Sequence, residues 1–82
     1  MPPMRIAYVV WGANTAYATR RATIGEIEDV LLTHGAKFRR NLRNRAATHT
    51  ATGRTEAGRL LTVAFIYQPD GRAAIPINAW ED

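Results

Sequence analysis

Hydrophobic positions along the chain follow two spacings, one typical of β-strands and one typical of an α-helix. Arg5–Trp11 and Leu60–Tyr67 are runs rich in β-branched and aromatic residues, and each predicts a strand. Leu60–Tyr67 is apolar on both sides, which indicates a central strand covered on both faces, or covered by a helix on one face and a partner on the other. Arg45–Thr52 alternates with the period of two that strands show. Arg72–Ile77 predicts the next antiparallel strand, after the turn signal Gln68–Gly71.

Two helices are predicted between the first strand and the later ones. Ala13–Arg21 is rich in alanine and predicts a short helix that ends at two arginines. Thr23 predicts the start of a second helix, because Glu26 three residues later completes a capping box, and Gly35 predicts its end. An apolar stripe at helical spacing supports it: Ile24, Ile27, Val30 and Leu31. The carboxylates early in this helix indicate a solvated face matched to the helix dipole, with acid–base chemistry as the alternative.

This order of elements predicts an α+β fold. We expect two N-terminal helices packed on one face of a mainly antiparallel sheet of about four to five strands, with the other face open. Residues 1–82 are expected to form a single domain, because a chain this short builds one small core. No apolar run approaches the ~20 residues that span a bilayer, and the apolar segment near the N-terminus is too short for a signal peptide. A soluble, cytoplasmic protein is therefore expected.

The charge balance indicates a polyanionic partner. The formal net charge is +4, the sequence pI is about 10.4, and all but one of the 11 basic residues are arginine. A basic domain suits nucleic acid or an acidic protein, although a coding preference for arginine explains the arginine excess equally well. The chain has no cysteine, no serine and only two histidines, which excludes a thiolate metal site and a serine nucleophile. No metal or other cofactor is expected.

The turn Gly53–Arg59 holds the first candidate site. It joins two strand-like runs and predicts a β-hairpin, in which Gly53 and Gly58 can adopt positive φ and Gly58 suits a G1 bulge. Arg54 and Arg59 would lie about one turn apart, where two forked guanidinium groups can grip a phosphate or a carboxylate. The alternative is a hairpin with two solvated arginines.

The segment Lys37–Arg45 is the second candidate, as a binding surface. Its basic residues are Lys37, Arg39, Arg40, Arg43 and Arg45. They are interleaved with Phe38 and two asparagines, a mixture that suits single-stranded RNA because phosphates meet arginine while bases stack or hydrogen-bond. A soluble edge strand guarded by charge is the alternative.

The alternating strand adds a histidine to the candidates. Its Arg45, Ala47, His49 and Ala51 are expected on one face, where the small alanines leave room for a ligand over the sheet. His49 is a candidate for proton transfer near neutral pH, or a surface histidine on a threonine-rich strand. Trp80 is expected to stack on the core or on a base.

Four segments share their order and spacing with one known family. Trp11 followed by Asn14–Arg21 is similar to the family's opening, and Thr23–Leu31 to its acidic helix. Gly53–Val63 (GRTEAGRLLTV) is similar to its hairpin, and Ile77–Trp80 occupies the place of a further motif whose final arginine is tryptophan here. Together these segments, which cover most of the chain, resemble BrnT-like toxins of bacterial type II toxin–antitoxin systems.

The resemblance implies a RelE-like fold and metal-independent RNA cleavage, in which a 2′-hydroxyl attacks the adjacent phosphate. Arg54 and Arg59 match the family's paired arginines and would stabilise the charge on the scissile phosphate. His49, added from the strand pattern, would act as the acid or base. The implied protein partner is a cognate antitoxin, with a heterotetramer as a possible assembly.

Two other functions stay open at this point. A non-catalytic module would keep the fold and the basic face, and would bind RNA or an acidic protein without cleaving it. An inactive structural member of an operon complex is the third reading.

Overall fold

The computed structural model describes residues 5–33, 35–41 and 46–81, which form one sheet and two helices. In chain order the elements are β1 (Tyr8–Val9), α1 (Thr15–Ala18), α2 (Ile24–Leu32), β2 (Lys37–Arg40), β3 (His49–Arg54), β4 (Leu60–Gln68) and β5 (Ala73–Glu81). The strands lie in the order β1-β5-β4-β3-β2. β1 is parallel to β5, and the other neighbouring strands are antiparallel. Neither helix of the described chain has the length and apolar character needed to cross a bilayer.

α2 is the helix that covers the sheet. The predicted capping box is confirmed, since the Glu26 N–H donates to Thr23 Oγ1 and the Thr23 N–H donates to the Glu26 carboxylate. The inner side of α2 buries Ile27, Val30 and Leu31. They form one core cluster with the buried apolar side chains of β4, which are Leu61, Val63 and Phe65. Burial of this apolar stripe fixes the helix on one face of the sheet.

The strand register sorts the side chains of β2–β5 onto two faces. On the face that α2 covers, cross-strand neighbours form an apolar row of Phe38, Ala51, Val63 and Ala79. On the opposite face, called the open face below, one row comprises Lys37, Thr52, Thr62 and Trp80. A second row on the open face comprises Arg39, Thr50, Ala64 and Asn78. Side chains alternate along each strand, so the burial of one set under α2 leaves the other set on the open face.

The predicted fold class, two N-terminal helices on one face of a mainly antiparallel RelE-like sheet, is wrong. The sheet is mixed, because β1 joins β5 in parallel. α1 is a single turn that contacts β5 and buries only Ala18, so it is too short to form a second helical layer beside α2. The chain is an α+β protein with a five-stranded mixed sheet and two short helices across the described residues.

β5 extends beyond its predicted end at Ile77 and continues to Glu81, with Pro76 inside the strand. Within sheets, proline is found at edges, strand ends or bulges, since it lacks an N–H for the ladder. β1 pairs only with Ala73 and Ala74, so β5 has no strand partner on that side at Pro76. The β4–β5 register also shifts at Phe65, the residue opposite Pro76. These two irregularities let a proline lie inside the strand.

The predicted hairpin between β3 and β4 is confirmed, with different roles for its two glycines. The Gly58 N–H donates to the Thr55 carbonyl. Gly58 has φ 90°, a backbone angle that residues with a Cβ rarely adopt. Gly53 lies within β3 and does not have positive φ. A Cβ at Gly53 would lie 3.2 Å from the Cβ of Ala36, so a larger residue there would require the chain before β2 to shift by a few tenths of an ångström.

Gly58→Ala should destabilise the protein by about 1–2 kcal/mol, because alanine is strained at positive φ. Gly12→Ala is the matched control, since a Cβ there meets no atom within 4 Å and Gly12 does not have positive φ. Urea unfolding followed by circular dichroism measures both variants. Equal unfolding free energies for the two would contradict the assigned turn.

Candidate nucleic-acid interface

Three cations occupy the open face beside its threonines. Lys37 and Arg39 come from β2, and Arg54 follows Thr52 on β3 by two residues, which places all three on one side of the sheet. Each is exposed, and none forms an ion pair with any described residue. Their positive charge is therefore available to a ligand.

The carboxylates near the sheet are used inside the protein. On α2, Glu28 accepts a hydrogen bond from Trp11 Nε1 at 3.0 Å, and Asp29 accepts one from the Glu56 N–H at 3.0 Å. Glu26 binds Arg59 and caps the helix. The acidic side of α2 was predicted to be a solvated face, but it anchors two separate segments of the chain, the one at Trp11 and the β3–β4 turn. No described carboxylate occupies the two rows of the open face.

Arg59 is paired with two carboxylates, Glu26 of α2 and Glu81 of β5. Its Nη1 lies 3.0 Å from Glu26 Oε1, its Nε lies 3.5 Å from Glu81 Oε1, and its Nη2 donates to the Arg21 carbonyl at 2.9 Å. Hydrogen bonding to Glu26 raises the pKa of Arg59. The Thr23 N–H and, after it, the Arg59 guanidinium lower the pKa of Glu26. These contacts join α2, the hairpin and β5, and they occupy the groups that a phosphate would need.

Arg54 has a different environment from its predicted partner. Its Nη1 donates to the Gly58 carbonyl at 2.8 Å, so the side chain closes its own turn and stays exposed. Arg59 reaches α2, which packs on the covered face. The structure therefore does not combine the two guanidinium groups into one free phosphate grip.

His49 lies on the covered side of the sheet and not on the open face. Its ring stacks on Phe65 with centroids 5.9 Å apart, and it meets Tyr67 edge-on at 5.7 Å. Burial, and then the charge of Arg40, lower the pKa of His49. The rings of Phe65 and Tyr67 occupy part of the space beside His49 in which the sequence pattern predicted a ligand. His49 and Arg54 begin and end β3, so their Cα atoms are roughly 16 Å apart.

The remaining predicted residues fall into three groups. Arg40 is the cross-strand neighbour of His49 and lies on its side of the sheet. Arg43 and Arg45 lie outside the described residues. Trp80 is half-buried on the open face, opposite Thr62. The open face therefore brings Lys37, Arg39 and Trp80 together with Arg54, and it separates them from His49 and Arg59.

An open cleft of about 560 Å³ crosses this face, from Asn41, Ala46 and Ala47 before β3 to the residues of β5. Its walls include Tyr17, Ile77 and Trp80, and Thr50 and Asn78 contribute polar groups. Arg20 stands over the Tyr17 ring, with its guanidinium carbon 5.3 Å from the ring centroid. Tyr17, Thr50 and Asn78 were not candidates from the sequence. The alternation of threonines in β3 is the signal that could have identified this face.

Metal binding has no support in the side-chain arrangement. Among residues 5–33, 35–41 and 46–81, no group of three or more histidine, aspartate or glutamate side chains could hold an ion.

Comparison with known proteins finds no matching family model, no similar protein of curated function and no similar solved structure. The resemblance to BrnT-like toxins therefore depends only on the segments compared above, and the catalytic roles of Arg54, Arg59 and His49 stay predictions.

Arg59→Met should lower the thermal unfolding midpoint more than Arg54→Met. Arg59 connects three parts of the fold, whereas Arg54 contacts only its own turn. The difference should shrink in about 1 M NaCl, because salt screens exposed ion pairs. Thermal unfolding followed by circular dichroism at low and high salt measures the two midpoints. Equal midpoints for the two variants would show that the Arg59 contacts do not stabilise the fold.

Lowering the pH from about 7.5 to about 5.5 should destabilise the protein through His49. Because its pKa is lowered in the folded state, the unfolded chain takes up the proton first, below about pH 6.5. The stabilisation is present above that pH and is lost as the pH falls. In His49→Phe, which keeps a ring against Phe65, the unfolding free energy should vary less over this range.

His34→Gln removes the only other histidine and is the control for that experiment. The pH dependence should persist in His34→Gln. If it persists equally in His49→Phe, another group is responsible.

Proposed function

We propose that the protein binds single-stranded RNA across the open face without cleaving it. The observation that carries the proposal is the separation of charge: Lys37, Arg39 and Arg54 share this face with Trp80, and the described carboxylates lie elsewhere. Unpaired cations attract a phosphate backbone through the release of counterions. An aromatic ring beside them adds stacking on a base, which is typical of single-strand recognition.

The dimensions of the face suit such a ligand. Lys37 and Trp80 are the outer members of one cross-strand row, three strand spacings or roughly 14 Å apart. A strand of RNA lying across the sheet can place phosphates over β2 and a base over β5.

Binding is favoured over cleavage because the candidate catalytic groups do not converge. Metal-independent cleavage needs a proton-transferring group within hydrogen-bond reach of the reacting atoms. His49 lies on the covered side, and Arg59 is paired with Glu26 and Glu81. Of the functions considered from the sequence, the non-catalytic module fits this geometry best. An RNA ligand also favours action in the cytoplasm, and a cognate antitoxin stays a prediction of the resemblance.

The double variant Lys37→Gln/Arg39→Gln should weaken RNA binding and its dependence on salt. For a single strand each lost phosphate contact removes about 0.7 from the slope of log affinity against log salt, so the slope should fall by about 1.4. Fluorescence anisotropy of a labelled decauridylate at several salt concentrations measures it.

The matched control is Arg5→Gln/Arg72→Gln, which removes the same charge. Arg5 precedes β1, and Arg72 lies in the β4–β5 turn, away from the two rows of the open face. The control should keep the wild-type slope. Wild-type protein that does not bind at low salt, or equal losses in both double variants, would reject the open face as the RNA site.

The same samples should leave the RNA intact on a denaturing gel. Shorter products that disappear in Arg54→Ala/Arg59→Ala would instead support the endoribonuclease.

A further inference from the structure

The cleft on the open face lies over a residue with a small side chain. Ala64 lies in the centre of its row, between Thr50 of β3 and Asn78 of β5. A methyl group there leaves space above the strand that a larger side chain would occupy. Two rings, those of Tyr17 and Trp80, stand at the margin of that space. The result is a recess with a small floor and aromatic walls.

The recess has polar groups that suit the edge of a heterocycle. Thr50 and Asn78 line it, and Asn78 Oδ1 already accepts the Ala79 N–H at 2.9 Å. The Asn78 amide nitrogen is then the part of that group left to donate to a ligand. No carboxylate is among the described residues that line the cleft, and Arg20 stands over its Tyr17 wall. An uncharged ring attached to an anionic chain therefore complements the recess.

We infer that this cleft receives one unstacked nucleobase of the bound RNA, packed against Trp80 and over Ala64. The inference rests on the proposed function and adds how the strand is recognised. The cations of β2 hold phosphates of any sequence, whereas the cleft accepts a base only when it is free of a duplex. Single strands should therefore be preferred over duplexes of equal charge.

Ala64→Ile tests the cleft because it fills the floor without changing any charge, and isoleucine suits a strand position. Its affinity for decauridylate should fall about 5- to 150-fold, the factor expected for one lost stacked base, while the salt slope stays at the wild-type value. Ala64→Val should give a smaller loss. Ala7→Ile is the matched control, since Ala7 is exposed and precedes β1, and it should bind as wild type.

Uncharged nucleosides test the contribution of the base to binding without that of the phosphate. Uridine, cytidine, adenosine or guanosine should shift the Trp80 indole N–H resonance of wild-type protein and not that of Ala64→Ile. Ribose 5-phosphate, which has no base, should not shift it. The Trp11 indole is an internal reference, because its Nε1 donates to Glu28 rather than facing the cleft.

The outcomes distinguish the two proposals. If Ala64→Ile binds decauridylate as tightly as wild type does, the base site is wrong and binding through the open face survives. If no protein binds decauridylate, the proposed function fails. In that case nucleoside shifts at Trp80 would still support a base site, and their absence would overturn it too.

Discussion

The structure depends on one constraint: α2 covers one face of the sheet, and no second helical layer among the described residues covers the other. α2 buries its apolar stripe against β3 and β4 and completes the core on that side. α1 is one turn long and contacts β5, so it supplies no second layer. The side chains of the other face must then be compatible with water or with a ligand. Threonines, cations and an asparagine therefore make up most of its two rows, beside Trp80 and Ala64.

The same constraint explains how a protein of modest net charge collects cations on one face of its sheet. The three carboxylates of α2 are bound by Arg59, by the Trp11 indole and by the Glu56 N–H, and they hold distant segments against the helix. They are consequently not available to balance the basic residues of β2. A net charge of +4 spread over the whole surface would attract a polyanion weakly, but cations collected on a face without carboxylates attract it more strongly.

Arg54 and Arg59 illustrate how two similar residues acquire different roles. They are close in the sequence and flank the same turn, so a shared role as a phosphate grip was a reasonable prediction. Arg54 ends a strand with its side chain on the open face, whereas Arg59 follows the positive-φ Gly58 and reaches Glu26 and Glu81. The bend of the turn, rather than the residue type, decides which arginine stays available.

The sequence by itself determined several of the local elements, although the first strand and the first helix are shorter than their predictions. The capping box at Thr23, the stripe that follows it, the strand Leu60–Tyr67 and the turn at Gly58 were all predictable, because each depends on neighbouring residues. It did not determine which face of β3 the helix would cover. His49 and Thr50 alternate identically in either case, and the choice depends on where α2 packs after the chain has folded. Only the tertiary structure put His49 against Phe65 and Tyr67 on the covered face, paired Arg59 with carboxylates from distant segments, and brought Tyr17, Ala64 and Trp80 to one cleft, since long-range packing decides these contacts.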